Sequence, residues 1–165
     1  MIKKTLAILL LIGSLLPVNA QNYKFQALFI YNIVKRVNWP PSSDNFKIGV
    51  VGSKELQKEL EILSKKQKIG GKTIEIITLT PSSIQENEVH VLYLGRSSSS
   101  KIGDIQTIIK SKPVLLIGDK AGLKGAGINF IDNSKEIKFE IYPNTIKEHQ
   151  LAISSSLLNL GVVIE

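Results

Sequence analysis

The chain contains no cysteine, a single tryptophan, a single methionine and two histidines among its 165 residues. Without cysteine it has no disulfide, no thiolate nucleophile and no cysteine-based metal site. The two histidines, His90 and His149, lack carboxylate or cysteine companions at ligand spacing, which favours a structural or solvent-facing role over metal binding or general-base catalysis. We therefore predict no metal site and no cofactor.

Two further segments resemble catalytic motifs, but the residues around them do not match those motifs. The serines at positions 154–156 lack the flanking glycines that place a nucleophile on a sharp strand-to-helix turn. The segment Gly71-Lys72-Thr73 resembles the end of a phosphate loop, but Lys66 stands where the first glycine should be. We expect the chain not to be an enzyme.

Charge of one sign is not clustered along the chain. The formal net charge is +7, but acidic residues interrupt every group of lysines, and no lysine group joins aromatic residues in a nucleic-acid-binding motif. Nucleic acid is therefore not an expected partner.

The one extended apolar run, Leu6 to Leu16, is too short to span a bilayer, which needs about 20 residues. Lys3 and Lys4 precede it, and Val18-Asn-Ala20 offers small residues at the cleavage positions of a secretory signal. We predict a signal peptide over residues 1–20, cleavage after Ala20 and export to the periplasm, with an uncleaved N-terminal anchor as the alternative. Residues 21–165 are then one domain, whose net charge falls to +5 once the two lysines are removed.

The stretch Pro113–Asp119 organises the rest of the predicted fold. Its apolar run, Val114 to Ile117, is typical of a strand buried on both faces at the centre of a sheet. Two further strands, Ile128 to Ile131 and Ile137 to Ile141, are separated by Asp132 to Glu136 and predict an antiparallel hairpin that closes one side of the sheet.

Strands and helices alternate along the remainder of the chain. Helices are predicted over Tyr23–Val37, after Ser53 to Ile69-Gly70-Gly71, after Ser97, and over Thr145–Val162, and strands over Phe46–Val51, Thr73–Leu79 and Val89–Leu94. This order favours a single-domain α/β sandwich with a mostly parallel sheet, helices on both faces, a closing antiparallel hairpin and a C-terminal helix.

Three predicted strands end in glycine followed by a polar residue: Gly52-Ser53, Gly95-Arg96-Ser97 and Gly118-Asp119. Ligands of open α/β sheets bind beyond the carboxyl ends of the strands, where the strand order reverses. Helix N-termini and Arg96 would favour a small anionic or zwitterionic ligand held by Ser53, Arg96, Ser97 and Asp119. The alternative is that these four are ordinary turn and cap residues.

Two more residues are candidates for contact with a partner protein. Trp39 is the one large amphipathic ring, and it is either a partner anchor or, as we favour, a plug that finishes the apolar face of the first helix. Glu140 projects from the strand face opposite Phe139, either as a solvated carboxylate or as a contact to a partner or ligand.

An ordered set of segments resembles the YfiR/HmsC family of exported bacterial proteins and covers nearly all of residues 21–165. The segments are Lys24–Pro40, Phe46–Gly52, His90–Leu94, Pro113–Asp119, Gly127–Ile131, Lys138–Ile141 and Leu151–Leu158. None of them is specific alone, and the order of the set carries the resemblance.

The resemblance implies a periplasmic regulatory protein that restrains the periplasmic sensor part of a membrane-bound diguanylate cyclase or a similar signalling protein. Gating by a small ligand and a homodimer are two further options that the sequence leaves open. Members of that branch carry cysteines, one of them just before the His-Val-Leu segment, where this chain has Val89. Redox control through a disulfide is therefore not available here. The alternative from another class is a free periplasmic small-molecule-binding protein or hydrolase that uses the crevice at the strand ends.

Overall fold

A computed structural model describes residues 18–42, 45–131 and 136–165 of the chain, with side chains from Asn22 onward. Most of the predicted signal peptide, residues 1–17, and most of the predicted hairpin turn, residues 132–135, lie outside this part. The first helix begins at Val18, two residues before the predicted cleavage position. Within the described ranges, no helix combines the length and the apolar character needed to cross a membrane.

The described chain forms five α-helices and ten strands, several of them very short. The helices are α1 (Val18–Val34), α2 (Lys54–Ser64), α3 (Ile102–Ile109), α4 (Pro143–Glu148) and α5 (Ser155–Leu158). The strands are β1 (Val37–Asn38), β2 (Phe46–Val51), β3 (Lys68–Ile69), β4 (Lys72–Leu79), β5 (Val91–Leu94), β6 (Leu115–Gly118), β7 (Ile128–Ile131), β8 (Lys138–Ile141), β9 (Ala152–Ile153) and β10 (Val162–Val163). Two 3₁₀ segments, Pro81–Glu86 and Arg96–Lys101, precede β5 and α3.

Eight of the strands form one mixed sheet in the order β10-β8-β7-β6-β5-β2-β4-β3. Five neighbouring strands, from β7 to β4, run parallel, and β8 pairs antiparallel with β7 in the register Phe130↔Phe139. The predicted central strand is β6, whose four residues are all buried. The predicted α/β fold class, central strand and antiparallel hairpin are therefore confirmed, although β10 lies outside the hairpin and forms that edge of the sheet.

Helices cover both faces of the sheet because the central strands are apolar on both sides. On one face α1 and α2 pack with α4 and α5 over side chains such as Ile48 and Tyr93, whereas α3 and the first 3₁₀ segment pack on the other over Leu92 and Leu116. Alternate residues of one strand therefore enter two separate cores.

Helix α1 buries a different face from the one predicted. Ala27, Ile30 and Ile33 are fully buried against the sheet, while Phe25 and Leu28 remain 44% and 41% exposed. The helical spacing predicts one stripe, formed by Phe25, Leu28, Phe29, Ile33 and Val37. Apolar residues surround most of this helix, so their spacing alone does not select the buried side.

Helix α2 begins as predicted and ends earlier. Ser53 caps its N-terminus by accepting a hydrogen bond from the Leu56 amide, 3.3 Å away. The helix ends at Ser64, and the glycines predicted to end it, Gly70 and Gly71, instead form the two-residue turn between β3 and β4. Both glycines have positive φ, +55° and +80°, as this kind of hairpin turn requires.

The predicted closing helix over Thr145–Val162 is wrong, because the structure divides this stretch into α4, β9, α5 and β10. Gln150 takes a left-handed conformation, φ +58°, which no continuous helix allows, and Ala152 then pairs with Asn38 of β1. The apolar residues of the stretch resemble a helical stripe, but they belong to separate elements that reach the core independently.

This division predicts unequal costs for two leucine truncations. Leu157 is fully buried, whereas Leu160 is 55% exposed. Leu157→Ala should lower the free energy of unfolding by about 2–5 kcal/mol, because it leaves a cavity in the core. Leu160→Ala should change it by at most about 0.5 kcal/mol. Urea unfolding of the two variants measures the difference, and equal losses would contradict the division of the stretch.

Candidate functional site

The strand order reverses between β2 and β5, and the predicted ligand residues follow these strands and β6. The backbones after β2 and β5 approach closely: the Gly95 amide donates to the Val51 carbonyl at 2.8 Å, and a Cβ on Gly95 would lie 2.4 Å from the Gly52 carbonyl oxygen. Glycine at position 95 is therefore required to bring the two strand ends together. The site lies where open α/β sheets place their ligands.

Helix α1 lies over this crevice and reaches into it with polar side chains. The Tyr93 hydroxyl donates to Gln26 Oε1 at 3.1 Å, and Gln26 Nε2 donates to Asp119 Oδ1 at 3.2 Å. Tyr93 is fully buried and Gln26 is 6% exposed. This chain of hydrogen bonds connects the end of β6 to α1 through the middle of the sheet, and it satisfies two buried polar side chains.

The electrostatics of the crevice keep its tyrosines neutral. Burial raises the pKa of Tyr93 far above its usual value, and the Asp119 carboxylate raises this pKa further. Burial also raises the pKa of Tyr23, with Asp119 and Glu55 adding to the effect, while Arg96 and a hydrogen bond with Ser53 oppose it. Both phenols therefore stay protonated at ordinary pH, and the Tyr93 phenol donates its proton to the hydrogen bond with Gln26.

The structure brings three of the four predicted ligand residues together around α1. Ser53 and Arg96 both interact with Tyr23, and Asp119 accepts the Gln26 amide. The fourth, Ser97, lies beside them but is exposed and directs its hydroxyl to the Gly52 carbonyl, 3.4 Å away. Ser53 is also the N-cap of α2, the structural role that the sequence gives as the alternative to ligand binding.

A small polar cavity of about 200 Å³ remains beside these residues. Its lining combines the crevice with the hairpin and consists of Asn22, Tyr23, Gln26, Arg96, Asp119, Phe130, Ile131 and Ile137. The cavity pairs a guanidinium with a carboxylate, an arrangement that suits a small zwitterion better than an extended apolar ligand. The predicted ligand at this crevice stays a prediction.

Trp39 packs against the core at the other end of α1. Its indole N–H donates to the Val34 carbonyl at 2.9 Å, and its ring meets Phe46 edge-on with centroids 5.1 Å apart. The ring is partly buried, as the plug interpretation expects. A partner contact at Trp39 stays a prediction.

Glu140 is partly buried and is held in place by three donors. Its Oε2 accepts hydrogen bonds from the Gly122 amide at 2.7 Å, the Tyr142 hydroxyl at 2.9 Å and Asn129 Nδ2 at 3.3 Å. Burial raises the pKa of Tyr142, and its hydrogen bond to Glu140 adds to the effect. The carboxylate thus fixes the loop after β6 to β8, which the solvated-carboxylate interpretation does not include. A contact of Glu140 with a partner or ligand stays a prediction.

Sequence reasoning missed Tyr23, Gln26 and Tyr93. Gln26 is an amide on the same helical face as the buried Ile30 and Ile33, and Tyr93 is the one polar side chain of β5. A polar group on an otherwise buried face needs a partner, so these two residues carried a signal of the crevice. Within the described ranges, no cluster of three or more His, Cys, Asp and Glu side chains that could hold a metal ion is found.

A mostly parallel sheet with an antiparallel edge, covered on both faces, and a crevice at the reversal of strand order define a single-domain open α/β protein. The chain belongs to the YfiR/HmsC-like family, whose model matches residues 23–162. This membership supports a regulatory rather than an enzymatic class. No curated protein matches the chain.

Two solved structures share the fold. One is a conserved domain protein from Vibrio cholerae O1 biovar El Tor, with a TM-score of 0.64, 13% identity and alignment over 87% of this chain and 60% of that one. The other is the ABC domain in complex with L-Trp from Streptococcus pneumoniae, with a TM-score of 0.59, 14% identity and alignment over 86% of this chain and 60% of that one. The chain thus spans about 60% of the length of each, and the low identities limit the likeness to the fold.

The raised pKa of Tyr93 predicts a specific loss of stability in alkali. The folded state keeps the phenol protonated, while the unfolded state ionises near pH 10, so the unfolded state gains stability as the pH rises above that value. Tyr93 alone should lower the free energy of unfolding by about 1.4 kcal/mol for each pH unit above its pKa in the unfolded state. Tyr93→Phe should be less stable at neutral pH, having lost the bond to Gln26, but should show a shallower alkaline slope. Urea unfolding between pH 8 and about 11 tests this, and unchanged slopes would contradict it.

The internal role of Glu140 predicts a loss of stability on neutralisation. Glu140→Gln replaces a charged acceptor of three hydrogen bonds by a neutral amide, which should cost about 1–3 kcal/mol. Glu75→Gln, at an exposed position of β4, is the matched control and should be within about 0.5 kcal/mol of the parent. Thermal and urea unfolding report both. Equal stability of the two variants would mean that the Glu140 contacts contribute little.

Proposed function

We propose that the chain is a periplasmic regulatory binding protein that docks on the periplasmic sensor part of a membrane signalling protein, a diguanylate cyclase or a similar enzyme, and restrains it. Family membership supports the regulatory class. The observation that carries the docking proposal is the two-sided character of α1. Its inner face closes the strand-end crevice with Tyr23 and Gln26, and its outer face exposes Phe25 and Leu28.

The outer face of α1 has the composition of a protein contact. Phe25 and Leu28 lie three residues apart, on one side of the helix, with exposed Asn32 and Lys35 further along the same side. An exposed aromatic residue beside an aliphatic one, bordered by polar groups, is typical of the centre of an interface. We name the surface formed by Phe25, Leu28, Asn32 and Lys35 the α1 outer face.

A ligand at the crevice would act on the same helix. A small zwitterion entering between Arg96 and Asp119 meets Tyr23 and Gln26, which belong to the turns that present Phe25 and Leu28. Binding would therefore change the position or the stability of the docking surface, which is the differential contact that gating by a ligand requires.

The second candidate is a free periplasmic small-molecule-binding protein. The fold likeness to a domain solved with L-Trp and the polar cavity favour it. Against it, α1 occupies most of the crevice, and the remaining cavity of about 200 Å³ lies below the usual size of a ligand pocket, about 300–1,000 Å³. The hydrolase reading loses support as well, because Ser53 and Ser97 direct their hydroxyls to backbone groups and the crevice holds no histidine.

The docking proposal predicts that charge on the α1 outer face abolishes restraint of the enzyme. The double variant Phe25→Asp/Leu28→Asp should fold, because both side chains are exposed, and should raise cyclic-di-GMP in cells to the level of a deletion strain. Ile62→Asp, on α2 with a similar exposure of 43%, is the control and should leave that level unchanged.

A photo-crosslinking residue at position 28 identifies the partner, compared with the same residue at position 62. We expect a membrane protein with a periplasmic sensor domain to be captured from position 28 only. Capture from both positions, or a cyclic-di-GMP level that does not respond to the double variant, would contradict docking through this face. A shift in melting temperature on addition of amino acids, with no capture, would favour the second candidate.

A further inference from the structure

A second cavity lies at the other end of the sheet, beneath the amino ends of β2, β5 and β6. Its volume is about 310 Å³, larger than that of the crevice beside α1 and within the range of small-molecule sites. We name it the basal cavity. Its lining consists of Pro40, Pro41, Ser42, Lys47, Ile84, Asn87, Glu88, Val89, His90, Ile109, Lys112, Pro113 and Val114.

The inner wall of the basal cavity is apolar and well packed. Ile84, Val89, Ile109 and Val114 are each at most 8% exposed and belong to the core between the sheet and α3. Together with the prolines they offer a hydrophobic floor of the kind that holds the ring or the short aliphatic body of a ligand. Binding is favourable when an apolar group of the ligand displaces water from such a floor.

Long-range hydrogen bonds hold the rim of the cavity in place. The Lys72 ammonium donates to the Ser42 carbonyl on one side. On the other side His149 Nδ1 bonds to the Lys112 carbonyl at 3.1 Å, and Gln150 Nε2 donates to the Ser111 carbonyl at 3.2 Å. Because groups distant in sequence fix both sides, the cavity is formed before a ligand arrives, which lowers the entropic cost of binding.

One ring of the lining is also fixed. His90 stacks on Phe46 with centroids 4.6 Å apart, and its Nδ1 accepts a hydrogen bond from the Lys47 amide at 3.1 Å. In the neutral ring the proton must then lie on Nε2. The ring therefore forms a fixed part of the cavity lining.

The charge at the rim selects the class of ligand. Lys47 and Lys112 contribute two positive side chains, and Glu88, which is exposed, contributes one negative side chain. Within the described ranges, neither lysine has its ammonium in an ion pair. We infer that the basal cavity binds a small organic acid, with the apolar body on the floor and the carboxylate beside Lys47 and Lys112. The inference is independent of the docking proposal, since it concerns the opposite end of the sheet.

Three probes of the same shape and different charge test this inference on the full chain: 3-phenylpropionate, 3-phenylpropanol and 3-phenylpropylamine. Methyl-labelled NMR locates the binding. We expect the acid to shift the methyls of Ile84 and Ile109, with the methyls of Ile131 and Ile137, which line the other cavity, unchanged. The alcohol and the amine should bind at least about fivefold more weakly, having lost the charged interaction.

Two lysine variants and a matched control complete the test. Lys47→Gln and Lys112→Gln should each weaken binding of the acid by about fivefold or more, while Lys110→Gln, an exposed lysine outside the lining, should not. Melting temperatures verify that all three variants fold. Equal affinity for the three probes, shifts confined to Ile131 and Ile137, or no shift up to the solubility of the acid would each overturn the inference.

Discussion

The structure depends on one constraint, the burial of the central strands of the sheet on both faces. Strands β5 and β6 present no polar surface except the Tyr93 hydroxyl, so both sides must be covered by other elements. Helix α3 and a 3₁₀ segment cover one side after short crossovers, whereas the other side needs α1, which comes from the beginning of the chain. The position of the candidate site follows from this arrangement, because α1 closes the crevice when it packs on the sheet. Gln26 of α1 then forms hydrogen bonds with both Tyr93 and Asp119, so these polar groups are not buried without partners.

Helix α1 therefore differs from an ordinary amphipathic helix in that both of its sides carry large apolar residues. Its inner side completes the core, and its outer side exposes Phe25 and Leu28 beside the polar Asn32 and Lys35. The likeness to the two solved domains concerns the fold. The docking proposal is based on the α1 outer face of this chain and not on the likeness to those domains.

Most of the parallel sheet could be predicted from the sequence, because uninterrupted apolar runs such as Val114–Ile117 and the glycines that follow them have few alternative interpretations. The crevice could be located for the same reason, since parallel strands end at the same edge. The division of residues 145–162 could not be predicted, because the buried residues Ile146 and Leu157, which belong to separate short elements, lie at the spacing of a helical stripe. The break at Gln150 is a tertiary effect, in which a left-handed residue is stabilised by its hydrogen bond to the Ser111 carbonyl. The internal role of Glu140 was also beyond the sequence, since its three donors come from positions 122, 129 and 142, brought together by the hairpin.

The two edges of the sheet differ in how they resist association between chains. On one side β4 continues past its two-residue partner β3, and the exposed carboxylate of Glu75 lies on that continuation, where a charge opposes pairing with a strand of another molecule. On the other side β10 and its neighbours, positions 160–164, carry no charge, and Val162 and Val163 are 47% and 42% exposed. When the protein is concentrated, or during unfolding, intermolecular strand pairing would therefore start from β10 and extend the sheet in that direction.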